Sequence, residues 1–95
     1  MDDIRAIQLM SALAQPTRLH VFGVLSQHRP KGLSVGELAA LVGTPPNTMS
    51  AQLAILARAG AVVQSRSGRT VIHTVNPPVI TELAEYLSAR VSEPS

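Results

Sequence analysis

A mainly α fold, with five helices and one two-stranded β-hairpin before the last of them, is what this 95-residue sequence predicts. Hydrophobic residues make up 45% of the chain and aromatic ones only 2%, so Leu, Val, Ile and Ala must build the core. Ala and Leu are strong helix formers. Apolar residues recur at helical intervals on either side of a segment at about 61–76, where the rhythm becomes a β-branched alternation. Prolines, with Gly32, Gly43 and Gly60, fall at the joints between these patterns. The length suits one compact domain over 1–95, small enough that a dimer or partner helices would help it bury its surface.

Each element has a local cause. Ile4, Ile7 and Leu9 to Leu13 repeat at helical spacing, which gives a first helix at about 3–14 that stops before "QPT". Pro16 suits the first position of a second helix, and Leu19, Val21, Phe22, Val24 and Leu25 carry it to about Gln27. "HRPKG" then breaks the pattern. Ser34 stands three residues before Glu37, the spacing of a capping box. A third helix therefore runs from Ser34 through Val42, with Gly43 as its C-terminal cap. Thr44 can cap a fourth helix with Pro45 at its first position; Asn47 to Ala59 carry it, over about 45–59, and Gly60 ends it. Two short helices joined by a tight Gly-containing turn make a helix-turn-helix.

Beyond Gly60, "AVVQ" and "TVIHTV" alternate, and "SRSGR" supplies turn chemistry around Gly68. "NPP" at 76–78 stops the hairpin. Val79, Ile80, Leu83, Leu87 and Val91 form a last amphipathic helix at about 78–91, with Glu82, Glu85 and Arg90 on its wet side. "SEPS" at 92–95 reads as a frayed tail. Three helices plus a hairpin is a winged helix-turn-helix, to which the first and last helices are additions.

The net charge is only +2, but its placement is uneven. No Asp or Glu occurs from Leu38 to Thr81, where the charged side chains are Arg58, Arg66 and Arg69. An acid-free, basic middle is what a phosphate-facing surface requires. At 100° per residue, Met49, Leu53 and Leu56 of the fourth helix share one side, the core face. Asn47, Ala51 and Arg58 fall opposite, flanked by Thr48 and Ser50. The second helix of a helix-turn-helix enters the major groove and offers its N-terminal residues to base edges. Small side chains there permit close approach, Asn and Gln can hydrogen bond adenine, and Thr or Ala methyls can touch the thymine methyl. The expected DNA-contacting residues are Asn47, Thr48, Ser50, Ala51, Gln52 and Arg58, with Arg66 and Arg69 at the hairpin tip reaching the minor groove or the backbone. Arg18, Arg29 and Lys31 lie elsewhere and contact either phosphate or nothing.

Other functions find little support. With no cysteine, the chain has no disulfide, thiolate metal site or thiol nucleophile. It has no Gly-rich phosphate loop and no His–carboxylate pair at useful spacing, and Ser50 and Ser67 lack an identifiable base, so no enzyme is expected. His20 and His28 are about two helical turns apart, too far for chelation within one helix, and His73 reads as a strand residue packed or paired locally. No metal and no cofactor are expected. The alternative is a site shared between subunits that adds Asp2 or Asp3 to these histidines, a set suited to zinc or nickel. "MDDIRAI" has no positively charged leader region, and no apolar run approaches the roughly 18–20 residues of a membrane helix. A soluble, cytoplasmic protein with no membrane partner is expected. A winged helix used for protein–protein interaction without specific DNA binding is the alternative function, and the acid-free face argues against it.

Across nearly the whole chain, "ALAQPTRLHVFGVL" followed by "LSVGELAALVGTPPNTMSAQLAILARAGAVVQSRSGRTVIHTV" resembles the ArsR/SmtB family of bacterial winged-helix repressors. The resemblance implies a homodimer formed by the first and last helices, a recognition helix and wing on double-stranded operator DNA, and release of that DNA when an effector binds. By position, Thr48, Ser50 and Gln52 and the wing residues Arg66 and Arg69 fall where family members contact DNA; many relatives carry His in place of Gln52. The family's metal sites lack their ligands here. Its thiolate site would fall around Ser34, Val35 and Gly36, "VITELAEYLSARV" holds no His, and the tail holds no Cys. The resemblance therefore leaves the effector unassigned.

Overall fold

The computed structural model describes residues 1–92, which form five helices and a hairpin in the predicted order. Helix α1 spans Asp3–Leu13, α2 Pro16–Gln27, α3 Val35–Val42 and α4 Pro46–Arg58; strands β1 (Val62–Ser67) and β2 (Thr70–Val75) follow, and α5 covers Pro77–Ser92. Of the expected tail, Ser92 is the last residue of α5 and 93–95 lie outside the described residues.

The helix ends are set by local chemistry. Asp2 accepts from the Arg5 N–H at 2.8 Å and caps α1, and Pro16 occupies the first turn of α2. The capping box of α3 is complete: Ser34 Oγ accepts from the Glu37 N–H at 3.2 Å, and Glu37 Oε1 accepts from the Ser34 N–H at 2.9 Å. The Ser34 N–H first, and the Ser34 hydroxyl second, favour the charged carboxylate and hold the Glu37 pKa below its ordinary value. Gly43 closes α3 in the left-handed conformation, φ +76°.

The start of α4 differs from expectation by one residue. Thr44 does not cap it, and Pro45 is the N-cap with φ −58° and ψ 143°. A residue that precedes proline is kept out of the helical region by the proline ring, so Pro46 forces Pro45 to stay extended and itself takes the first helical position.

The hairpin is antiparallel, with Val62 opposite Val75 and Ser67 opposite Thr70, which leaves Gly68 and Arg69 as a two-residue loop. Gly68 has φ +63°, and among the described residues no non-glycine residue has positive φ. Positive φ at the first loop residue alone is the type II′ pattern, whose twist matches that of the paired strands. One feature was not expected: Leu33, just before α3, forms an isolated antiparallel bridge with His73 on the free side of β2.

The core gathers Ala6, Leu9 and Ala12 of α1, Val21 and Leu25 of α2, Leu38 of α3, Met49, Leu53 and Leu56 of α4, Val62 and Val75 of the hairpin, and Val79 and Leu83 of α5. Asn76 fastens the hairpin to the end of α4, its Nδ2 donating to the Gly60 carbonyl at 3.0 Å and its N–H to that of Ala61 at 3.0 Å. Helices α1 and α5 meet where Asp3 takes an ion pair from Arg90 at 2.6 Å and a hydrogen bond from the Tyr86 hydroxyl. Tyr86 first, and Arg90 second, hold the Asp3 carboxyl below its ordinary pKa.

Candidate nucleic-acid interface

Helix α4 is amphipathic in the sense its sequence predicts. Met49, Leu53 and Leu56 are buried against the core, while Asn47, Thr48, Ser50, Ala51 and Arg58 are exposed. The inward residues anchor the helix, so the outward ones stand on a rigid element. No side chain caps its N-terminus, where the backbone N–H groups carry the positive end of the helix dipole.

Gln52 stands apart from the others. It is half-buried on the flank of α4 that faces α1 and α2, and its Oε1 accepts from Arg18 Nη1 at 3.1 Å. Asn47 is also engaged, its Oδ1 accepting from the Thr48 N–H at 2.9 Å. Arg18, which the sequence placed outside this surface, is therefore joined to it. Its Nε donates to the Ala12 carbonyl at 2.6 Å and its Nη2 reaches that of Ser11 at 3.5 Å, both in the last turn of α1, where carbonyls run out of helical partners; that of Ser11 also accepts from the Ala14 N–H at 3.3 Å. The contact spans 34 residues of sequence, and no local pattern signals it.

Arg66 and Arg69 are exposed, Arg66 near the end of β1 and Arg69 in the loop. Among the described residues the one ion pair is that of Asp3 with Arg90; Arg58, Arg66 and Arg69 have no carboxylate partner. The exposed face of α4 and the hairpin tip thus present amide, hydroxyl and guanidinium groups with no acid between Leu38 and Thr81. Arg29 and Lys31 are exposed in the α2–α3 connection.

The histidines are dispersed. His20 is exposed, and His28 is exposed with its Nδ1 2.8 Å from the Val24 carbonyl. His73 is packed, as its alternation with Val71 and Val75 suggested, but neither ring nitrogen has a hydrogen-bond partner among the described residues. Among those residues no three His, Asp or Glu side chains are grouped to hold a metal ion, and no helix is long and apolar enough to cross a membrane.

Residues 13–65 match a family model described as a helix-turn-helix domain. The uncharacterized HTH-type transcriptional regulator Rv0081 of Mycobacterium tuberculosis is 35% identical over 88 residues, 88% of this chain and 75% of that protein. The crystal structure of M. tuberculosis Rv0081 superposes with a TM-score of 0.69 at 32% identity, covering 96% of this chain and 94% of that one. The HTH-type transcriptional regulator NmtR of the same organism is 33% identical over 88 residues, 90% of this chain and 71% of that protein. The homodimeric winged helix-turn-helix DNA-binding domain of Mb0332 from Mycobacterium bovis, a possible ArsR-family regulator, shares the fold with a TM-score of 0.75 at 22% identity, over 100% of this chain and 92% of that one.

Proposed function

Since the chain belongs to the helix-turn-helix family of transcriptional regulators, we propose that it is a winged-helix regulator of the ArsR/SmtB type and acts as a homodimeric repressor on an inverted-repeat operator. Such regulators are not enzymes. In this reading α4 is the recognition helix and the hairpin is the wing. Asn47, Thr48, Ser50, Ala51 and Gln52 face base edges, and Arg58, Arg66 and Arg69 face the backbone or the minor groove. The observation that carries the reading is the exposed face of α4, which combines small polar side chains, a rigid apolar anchor beneath and no acid nearby. Acids would repel the phosphates, and small side chains let the helix backbone approach the base edges closely.

The dimer is supported by a second surface. Ile4 and Ile7 of α1 are 69% and 61% exposed, and Leu87 and Val91 of α5 are 41% and 88% exposed. Large apolar side chains left open on two helices that already meet mark an interaction surface, and the similarly folded Mb0332 domain is a homodimer. Two-fold symmetry predicts half-sites one helical turn apart, or a multiple of it.

The test is selection from a randomised duplex library, followed by binding at several salt concentrations. A palindromic motif and an affinity that falls with salt through counterion release are expected. No enriched palindrome, with no duplex binding even at low salt, would sink the proposal and favour a protein-binding winged helix.

A further inference from the structure

Gln52 is not free to choose how it faces a base. A guanidinium can only donate, so the end of the Gln52 amide that meets Arg18 Nη1 at 3.1 Å must be its carbonyl oxygen. The N–H2 group of a planar amide then points away from Arg18. Arg18 is itself immobilised: its guanidinium is held on the Ala12 and Ser11 carbonyls, and its backbone N–H donates to Gln15 Oε1 at 2.8 Å. Asn47 shows the same polarity five residues earlier, where only an oxygen can accept from the Thr48 N–H. Both amides of the α4 surface therefore have their oxygens engaged within the protein, and their N–H2 groups have no hydrogen-bond partner among the described residues.

This polarity matters in the major groove. A free Gln reads adenine by donating to N7 and accepting from the N6 amino group, whereas guanine presents N7 and O6, two adjacent acceptors. We propose that Arg18 is a specificity-determining residue: by holding the Gln52 carbonyl oxygen it presents Gln52 as an N–H donor, which selects guanine over adenine. The inference rests on the reading that Gln52 faces the operator. The second lone pair of Oε1 is also weakened as an acceptor, because the cationic guanidinium draws its electron density. Arg18 need not touch DNA to have this effect; it acts through the orientation of Gln52.

Library selection with the full chain and three variants tests the proposal. The native protein is expected to enrich guanine over adenine by roughly tenfold at one position of each half-site, within the range of a good side-chain–base pair. Gln52→Ala is expected to lose that preference alone. Gln52→Ala selecting the native motif unchanged would remove Gln52 from the readout, a failure of the underlying reading. Arg18→Ala, which frees the amide to turn, is expected to move the preference to adenine at the same position. If Arg18→Ala folds, as judged by circular dichroism, and keeps the guanine preference, the role of Arg18 is overturned. Because Arg18 also braces the end of α1, Gln52→Glu is the independent check. Its carboxylate still accepts from Arg18 but cannot donate to a base, so guanine preference is expected to vanish, and its persistence would equally overturn the proposal.

Discussion

Leu33 and His73 hold each other by both peptide groups: the Leu33 N–H donates to the His73 carbonyl at 3.0 Å and the His73 N–H to that of Leu33 at 2.8 Å. This pair docks the inner half of β2 on the start of α3 and leaves the other end of the hairpin free to project. It also leaves the His73 imidazole 3% exposed, with no hydrogen-bond partner for either nitrogen among the described residues.

Burial lowers the His73 pKa below its ordinary 6.5. The unfolded chain takes up this proton at a higher pH than the native one, so stability must fall as pH drops through that range. Urea unfolding is expected to show lower stability at about pH 5 than at about pH 8. His73→Leu removes both the titration and the unpaired nitrogens. It should flatten that dependence and add about 1 kcal/mol at the higher pH. An equal fall in the variant would assign the proton uptake to another group.

Gly32 and Gly43 have nearly the same left-handed φ, +77° and +76°, but different surroundings. A Cβ on Gly32 would stand 2.5 Å from the His73 carbonyl oxygen, whereas one on Gly43 would meet nothing within 4 Å. Gly43→Ala should therefore cost about 1 kcal/mol, the penalty of the backbone conformation alone. Gly32→Ala adds a clash with backbone and should cost roughly 3 kcal/mol in total. Equal losses in thermal unfolding would mean that the Leu33–His73 bridge yields easily.

For the wing, Arg66→Ala and Arg69→Ala should weaken binding by a similar factor on every operator variant. Each should reduce the slope of log affinity against log salt by about one. A variant with the native salt slope would place that arginine off the phosphates.

Ile4→Glu and Val91→Glu put charge on the apolar faces of α1 and α5 without touching the core. Sedimentation should show the pair of substitutions shifting a dimer to monomer, with affinity for the two-half-site operator dropping toward that for one half-site. A double variant that stays dimeric would move the interface elsewhere.

Features that rest on nearby residues could be read directly from the chain. Ser34 and Glu37 cap α3 because three residues separate them, and Met49, Leu53 and Leu56 turn inward because of helical spacing alone. Even the misplaced start of α4 was a local matter, settled by the effect of Pro46 on Pro45. Contacts between distant residues left no such trace. Leu33 is a single apolar residue between Gly32 and Ser34, too short a segment to show a period, so its pairing with β2 was not foreseen. Arg18 looked like one more surface charge, and its hold on Gln52 exists only because α2 packs beside α4. The residue types of the proposed interface were legible; the hydrogen-bond polarity of its amides was not.

The chain has no tryptophan and a single tyrosine, and Tyr86 lies where α1 meets α5. Its hydroxyl donates to Asp3, and the Arg90 guanidinium carbon lies 4.2 Å from its ring centroid. A phenol bound to a carboxylate emits weakly and brightens when that bond is lost. The unlabelled protein thus carries its own fluorophore at the joint between its first and last helices, which allows loosening of that joint to be followed optically.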